Sequence, residues 1–365
     1  MLAGARRIVV LRALQLGDLL CAVPALRALR AAAPGATVAL VGLPWARAFV
    51  ERFGAYLDEF IEFPGWPGLP ERALDLAAVP RFLADAQARR FDVSVQLHGS
   101  GGIVNEIAAL LGARAQAGFF VPGQWRPDAA RFVPWPDDAP EIHRWLRLTA
   151  HLGAPDRGTH LEFPIGQRDR DELGAALASA GAGPLVPGGH AVVHPGSQLP
   201  SRRWPAERFA RVADALAAAG LRVIVTGTEA ERPLAAAVTG AMRAPALDLC
   251  GRTSLGALAA LMADARLLVS NDTGVSHVAA ALRTPSVVVC SGADAARWAP
   301  LDAARHRVLW HAVPCRPCAH AACPYEGHPC AAGVEADAVA RQALELLAAT
   351  DQPAQPPVTA SACAA

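Results

Sequence analysis

The sequence predicts an α/β protein in which helices cover both faces of parallel β-sheets. The clearest evidence is residues 267–289, LLVSNDTGVSHVAAALRTPSVVV, which read as an apolar strand (267–269), an alanine-rich helix (273–282) and a second apolar strand (286–289). Strands that lack polar alternation are buried on both faces, as parallel strands are. The same alternation occurs on both sides of a central stretch that lacks it, so we expect two Rossmann-like, doubly wound domains.

The first half of the chain supplies four predicted strands and four predicted helices in alternation. The strands cover residues 7–11, 37–41, 59–63 and 92–97, and the helices cover residues 19–32, 44–53, 71–89 and 103–111. This spacing is typical of successive βα units.

The alternation weakens between residues 122 and 164, where tryptophans, prolines and acids are interspersed and one helix, 141–152, is interpreted as a connector. After a predicted linker near residues 155–190, it resumes with strands 191–194 and 222–225 and helices 206–219, 230–241 and 255–263. We therefore expect an N-terminal domain at 1–160, a C-terminal domain at 161–350 and a small, proline-rich, disordered tail at 351–365.

Composition excludes several classes of function. The chain has 365 residues with 53% hydrophobic and 18% charged residues, but no apolar run is long enough to span a membrane. A net charge of +1 gives no support for a nucleic-acid partner. The first apolar run is interrupted by Arg12 and Asp18, so it reads as a core strand and not as a secretory signal. We expect a cytoplasmic protein.

Four of the eight cysteines lie close together, at Cys315, Cys318, Cys323 and Cys330, with histidines between them. The first spacing is typical of a zinc knuckle, whereas the later spacings are not. A reduced loop without a ligand is the alternative, and it is the interpretation we adopt.

Gly17 and Asp18 stand where the first strand gives way to the first helix. A carboxylate at a helix start can cap the helix, or it can serve as a general base within reach of a hydroxyl group. Position alone leaves both readings open.

Three further polar turns follow predicted strands in the second half. In HPGS with SRRWP, residues 194–197 and 201–205, the Ser197 hydroxyl and a guanidinium are suited to a phosphate, although a solvated surface loop is equally consistent. In TGTEAE, 226–231, an acid can accept bonds from a ribose diol or merely complement the helix dipole. In NDTG, 271–274, free amides at a helix start attract anions such as a diphosphate, although taken alone the stretch is more typical of Asp272 or Thr273 merely capping the helix.

Neither the G-x-G-x-x-G fingerprint of nicotinamide and flavin cofactors nor a G-x-x-x-x-G-K-[ST] phosphate loop occurs. This argues against dehydrogenase and ATPase functions, and we expect no cofactor.

Taken together, the order R-x-x-x-x-G-D at 12–18, H-P-G-S and R-R-W-P at 194–205, and N-D-T-G-V-S-H at 271–277 resembles glycosyltransferase family 9, the heptosyltransferases of the lipopolysaccharide inner core. The resemblance covers about residues 7–345. It implies a GT-B architecture with two Rossmann-like domains facing a cleft, inverting chemistry, and a nucleotide-diphosphate heptose donor held mainly by the C-terminal domain.

The resemblance also implies roles for individual residues. Asp18 matches the catalytic aspartate, and Arg12 is placed on the acceptor side. Arg202 matches a basic residue, often lysine, that contacts the donor phosphates. The remaining donor-binding residues that it implies are Ser197, Glu231 (or Glu229 if the register shifts), Thr253, Asp272, Thr273 and Gly274. His277 is interpreted as a packed helix histidine, with a phosphate contact as the alternative.

These residues predict an enzyme in which Asp18 takes a proton from the acceptor hydroxyl while arginine and helix amides stabilise the departing diphosphate. No D-x-D pair follows a strand, so no metal is required. The expected partners are a nucleotide-diphosphate sugar, ADP-heptose by resemblance, and a lipid-linked saccharide acceptor, with peripheral contact at the inner membrane face. A GT-B sugar-nucleotide epimerase and a non-catalytic sugar-nucleotide-binding module are the alternatives.

Overall fold

The structure, a computed structural model, describes residues 2–351, with side chains up to residue 349. It divides into two compact units. The first consists of the chain up to Gly166 together with Thr273–Leu282 and Asp294–Pro300. The second consists of Gln167–Asp272, Arg283–Ala293 and the chain from Leu301 onward. Two short segments late in the chain thus belong to the same unit as the N-terminal sheet.

The first unit is built on a six-stranded parallel sheet with the order β3-β2-β1-β4-β5-β6. Its strands are β1 (Arg7–Leu11), β2 (Thr37–Gly42), β3 (Glu59–Glu62), β4 (Val93–Gln96), β5 (Ala115–Phe120) and β6 (Phe132–Pro134). Its helices are α1 (Leu16–Ala32), α2 (Ala46–Arg52), α3 (Val79–Ala88), α4 (Ile103–Leu110) and α5 (Glu141–His151). The strand order reverses between β1 and β4, and in open α/β sheets ligands bind at the strand carboxyl ends beside such a reversal.

The second unit contains another six-stranded parallel sheet, with the order β12-β11-β10-β7-β8-β9. Its strands are β7 (His190–His194), β8 (Arg222–Val225), β9 (Ala246–Asp248), β10 (Leu267–Asn271), β11 (Ser286–Val289) and β12 (His306–Leu309). The strand order reverses between β7 and β10, and every residue of these two strands is buried. The absence of polar alternation in their sequences therefore reflects helices on both faces of the sheet.

The remaining helices are formed by the second half of the chain. They are α6 (Gln167–Ser179), α7 (Ala206–Ala218), α8 (Arg232–Ala241), α9 (Leu255–Ala263), α10 (Gly274–Leu282), α11 (Ala295–Trp298), α12 (Pro329–Ala332) and α13 (Ala336–Asp351). Helices α10 and α11 belong to the first unit. Each unit has its own apolar core; Val9, Val41 and Phe63 lie in the first, and Val193 and Trp204 lie in the second.

Several predicted elements need correction. The expected linker at 155–190 contains α6, a helix that opens with charged residues and buries Ala176 and Leu177. Helix α3 begins at Val79, not at residue 71, and strands β5, β6, β9 and β12 were not predicted. Strands β6 and β9 have three residues each, too few to show a period. The predicted tail is outside the described residues from 352 on, while Asp351 ends α13.

Candidate active site

Asp18 is the third residue of α1, and its carboxylate caps the start of that helix. The backbone N–H of Gln15 donates to Asp18 Oδ2 over 3.3 Å, and Gln15 in turn caps the N–H of Asp18, so a reciprocal capping box is present. The Asp18 side chain nevertheless keeps 23% of its surface exposed. The capping and catalytic readings are therefore compatible, since one carboxylate oxygen anchors the helix while the side chain still reaches the surface.

A buried chain of alternating charges lies behind Asp18. Arg12 is fully buried; its Nε donates to the Asp18 carbonyl over 2.8 Å, and its Nη1 donates to the Leu97 carbonyl. Its Nη2 lies 3.4 Å from one oxygen of Glu141, whose other oxygen accepts from Arg297 Nε over 2.8 Å. Because Glu141 is only 1% exposed, both of its oxygens depend on these two guanidinium groups.

The acceptor-side role expected for Arg12 stays a prediction, and the contacts of its side chain are as follows. The guanidinium lies 4.4 Å from the centroid of the Trp145 ring and contacts protein groups on its remaining sides. The side chain is fully buried and ties the end of β1 to α1 and α5.

The surroundings of Asp18 raise the pKa of its carboxyl group above the usual value. Burial is the largest cause, Arg12 opposes it, and the negative charge of Glu141 adds to it. His277 and Arg297 also oppose the rise. A carboxylate with a raised pKa is a stronger proton acceptor than an ordinary aspartate, which is the property that a general base requires.

The start of α10 lies directly beside the start of α1. A Cβ atom on Gly274 would lie 3.2 Å from Leu16 Cβ and 3.3 Å from the Gly17 nitrogen, and one on Gly17 would lie 2.7 Å from His277 Cδ2. Glycine at both positions thus permits the close approach of the two helices. The amides at the start of α10, which follow Thr273, therefore lie near the helix start that carries Asp18.

His277 is a packed residue of α10. It is 5% exposed, its Nδ1 lies 3.6 Å from Cys21 Sγ, and its ring meets Trp298 edge-on at 6.3 Å between centroids. These contacts agree with the interpretation as a packed helix histidine.

In the second unit, the carboxyl ends of β7 and β8 bring Ser197 and Glu231 into one region. The Glu231 carboxylate accepts from the Thr228 N–H over 2.8 Å and from the Thr228 hydroxyl over 2.9 Å. It also lies against Gly196, so closely that any Cβ there would collide with it. Ser197 is next in the chain and is 4% exposed. Glu231 is therefore held at the end of β7 by the loop after β8.

Glu229, the alternative acid, is placed differently. It is exposed and pairs with Arg232, whose Nε lies 2.9 Å from Glu229 Oε1, and it packs against Gly251. Of the two acids, Glu231 is the one beside the residues that follow β7.

Arg202 and Asp272 flank the ends of β7 and β10. Arg202 ends a 3-10 turn, Pro200–Arg202, and its Nε is buried without a hydrogen-bond partner in the part of the chain that the structure describes. Asp272 follows β10, and its Oδ2 lies 3.8 Å from Cys290 Sγ. Burial chiefly, with Asp272 adding to it, raises the pKa of Cys290 to about 12, so the thiol is neutral at physiological pH.

Thr253 and Thr273 occupy helix starts. Thr253 is half-buried directly before Ser254, which caps α9 by accepting from the Ala257 N–H over 3.1 Å. The Thr273 carbonyl accepts from the Ser276 hydroxyl over 2.7 Å. The division between the two units falls between Asp272 and Thr273. Thr273 and Gly274 therefore group with Asp18 and Arg12, and the other predicted donor residues form a separate group in the second unit.

Sequence reasoning missed Glu141, Arg297 and Arg316. Glu141 lies more than a hundred residues from Asp18 in a helix interpreted as a connector, and no spacing rule links the two. Arg316, whose Nη2 donates to Cys290 Sγ over 3.1 Å, stands inside the cysteine-rich segment, which was interpreted only through its thiols.

Within residues 2–349, no group of three or more His, Cys, Asp or Glu side chains is arranged to hold a metal ion. Burial is the main cause of the raised pKa of the Cys330 thiol, and the nearby Cys323, Cys315 and Cys318 raise that pKa further. No helix among the described residues combines the length and the apolar character needed to cross a membrane.

Comparison with known proteins places the chain in a family. The family model described as glycosyltransferase family 9 (heptosyltransferase) matches residues 108–328. Lipooligosaccharide heptosyltransferase 2 of Haemophilus ducreyi is 27% identical over 162 residues, which are 43% of this chain and 41% of the relative, so that match spans less than half of the relative's length.

Two solved structures share the fold. A family 9 glycosyl transferase from Veillonella parvula superposes with a TM-score of 0.75 at 22% identity, covering 96% of this chain and 99% of that one. The ADP-heptose lipopolysaccharide heptosyltransferase II of Escherichia coli gives a TM-score of 0.72 at 18% identity, covering 95% and 100%. These superpositions confirm the predicted α/β class and GT-B architecture with two doubly wound parallel sheets. The family model matches more than half of this chain, and the chain therefore belongs to glycosyltransferase family 9, the heptosyltransferases.

Proposed function

We propose that the protein is an inverting glycosyltransferase that moves a sugar, heptose from ADP-heptose, to a lipopolysaccharide core or related glycan acceptor. The observation that carries the proposal is the Asp18 carboxylate: it is partly exposed, it has a raised pKa, and the helix start that carries it lies beside the start of α10. A proton acceptor next to an anion-attracting helix start is what direct displacement of a diphosphate requires.

In the proposed reaction, an acceptor hydroxyl attacks the anomeric carbon of the donor sugar from the face opposite the diphosphate. The new carbon–oxygen bond forms as the bond to the diphosphate oxygen breaks, and its electron pair stays on the diphosphate. The hydroxyl proton passes to Asp18. The attack inverts the configuration of the anomeric carbon.

The negative charge of the leaving group is stabilised by protein groups, so transfer needs no divalent metal. The amides at Thr273 and Gly274 supply a helix start, and Arg202 supplies a guanidinium whose Nε is unsatisfied within the described residues. Ser197 and Asp272 lie after the neighbouring strands β7 and β10. In the proposed complex, Glu231 accepts hydrogen bonds from the ribose hydroxyls, and Thr253 lies beside the adenine base.

The named relatives support the choice of substrates. Since the Escherichia coli structure is that of an ADP-heptose lipopolysaccharide heptosyltransferase, we propose the same donor class here and a lipid-linked saccharide as acceptor. A cytoplasmic location with peripheral contact at the inner membrane face follows from such an acceptor.

The test is incubation of the purified protein with ADP-heptose and heptose-free lipopolysaccharide core. The proposal expects a mass increase of one heptose on the acceptor, release of ADP, and a product linkage whose anomeric configuration by NMR is opposite to that of the donor. UDP-linked sugars serve as the comparison donors. Conversion of the donor sugar to an epimer without transfer, or donor binding without turnover, would refute the proposal and favour one of the two alternatives.

A further inference from the structure

The cysteine-rich loop, defined as residues 315–330, is bonded directly to the turn that carries Arg202. Ser201, the neighbour of Arg202, is 2% exposed, and all three of its polar groups bind this loop. Its N–H donates to the Ala321 carbonyl over 3.1 Å and its hydroxyl donates to the His320 carbonyl over 2.5 Å. Its carbonyl accepts from the His328 ring over 2.8 Å. The loop and the Arg202 turn are therefore fixed to each other.

The same loop is also anchored behind the end of β11. The Cys318 N–H donates to the Gly292 carbonyl over 2.7 Å, and a Cβ atom on Gly292 would lie 3.0 Å from Cys318 Cβ. This anchor lies two residues after Arg316, so it restrains the backbone position of that arginine relative to the end of β11.

Arg316 points at the end of the second sheet. Its Nη2 donates to Cys290 Sγ over 3.1 Å, and its guanidinium lies 4.6 Å from the centroid of the Trp310 ring. Cys290 is in turn 3.8 Å from the Asp272 carboxylate, and the positive charges of both Arg316 and Arg202 act on its thiol. The buried, neutral thiol next to Asp272 is thus bonded to the Arg316 guanidinium, and the positive charge of Arg202 also acts on it.

Each of these two guanidinium groups has a nitrogen donor that lacks a hydrogen-bond acceptor within the described part of the chain. Among the described residues, Arg316 Nη1 and Arg202 Nε are both buried without a hydrogen-bond partner. A buried charged donor that lacks an acceptor is costly, and guanidinium groups bind phosphate oxygens in a forked geometry. The site therefore has positive charge and donors that an anionic ligand would satisfy.

We infer that Arg316 is a second diphosphate-binding residue of the sugar-nucleotide site, acting beside Arg202, and that the cysteine-rich loop places it there. The inference rests on the proposed function, since a nucleoside diphosphate is the ligand with the required charge. It also gives the loop a role at the donor site that does not depend on a bound metal.

Arg316→Gln tests the inference by calorimetry with ADP and with adenosine. Arg307→Gln is the matched control, because Arg307 is exposed on β12 of the same unit. The loss of a charged hydrogen bond predicts that Arg316→Gln weakens ADP binding by about tenfold or more. Adenosine, which lacks phosphate, should bind equally to all three proteins, and Arg307→Gln should match the wild type.

Arg316→Lys keeps the charge and loses the fork, so it should bind ADP with intermediate affinity. It also serves if the glutamine variant does not fold, which circular dichroism would show. Equal ADP affinity in the wild type and a folded Arg316→Gln protein would overturn the inference alone. A wild-type protein that binds neither ADP nor UDP would overturn the proposed function and this inference together.

Discussion

Replacing Arg12 by methionine tests the buried charge network behind Asp18. The substitution keeps an unbranched apolar stem but removes the hydrogen bonds to the Asp18 and Leu97 carbonyls, the pairing with Glu141 at 3.4 Å and the contact of the guanidinium with the Trp145 ring. Removing one partner of a buried ion pair costs about 3 to 5 kcal/mol. Because Arg297 still holds the other oxygen of Glu141, we expect a value near the lower end, about 3 kcal/mol.

The assay is urea unfolding followed by tryptophan fluorescence, since the Trp145 ring packs against the guanidinium. Arg81→Met is the matched control: its side chain is 88% exposed and pairs with Asp85 at 3.6 Å, so its unfolding free energy should change by no more than about 0.5 kcal/mol. If Arg12→Met lowered the unfolding free energy by less than about 1 kcal/mol, the network would not support the fold in the way that the burial of Arg12 implies.

Other perturbations test the surroundings of Asp18. Glu141→Gln removes a negative charge that raises the Asp18 pKa, so the acidic limb of the pH profile of kcat/KM should move to lower pH; an unmoved limb would contradict the proposed coupling. Gly17→Ala would place a Cβ atom 2.7 Å from His277 Cδ2 and should lower stability by about 1 to 3 kcal/mol in thermal unfolding, whereas Gly4→Ala, with no atom within 4 Å, should not. Asp18→Asn should raise the unfolding temperature at neutral pH: a carboxyl group whose pKa is raised in the folded state destabilises that state once pH exceeds its unfolded pKa, and asparagine lacks this charge. Transfer activity in EDTA should equal that in its absence, and a loss restored by a divalent metal would refute the metal-independent reaction.

The fold was predictable where buried strands and helix boundaries correspond to recognisable sequence patterns. Strands β1, β8 and β11 and helix α9 have the predicted bounds, because apolar runs such as RIVVL and SVVV are short and have a charged or turn-forming neighbour, Arg12 after the first and Pro285 before the second. Helix α6 escaped prediction since its stability derives from packing against α9, a tertiary effect that its charged opening does not reveal.

Residues of the candidate site were predictable only where they stand in the turn after a strand. Asp18, Ser197, Glu231 and Asp272 each follow a strand, and parallel topology brings such positions to the same edge of a sheet. What escaped prediction are side chains that reach the site from elsewhere. Glu141 arrives from a helix far along the chain and Arg316 from a loop, and only tertiary packing brings them near Asp18 and Cys290 respectively.

The order of the motifs also did not predict that α10 groups with the first unit. The sequence places Thr273 and Gly274 between two strands of the second sheet, as expected for a βα crossover. Contacts of Gly274 with Leu16 and Gly17 show why the helix packs with α1 instead, since only a residue without a side chain allows that approach.

The most direct test of the central claim is a paired measurement on Asp18→Asn, which preserves size and helix capping but cannot accept a proton. The account predicts that transfer from ADP-heptose falls by about a hundredfold or more while ADP binding, measured by calorimetry, stays within about twofold of the wild type. Retention of more than about a tenth of wild-type turnover would contradict the assignment of Asp18 as the base.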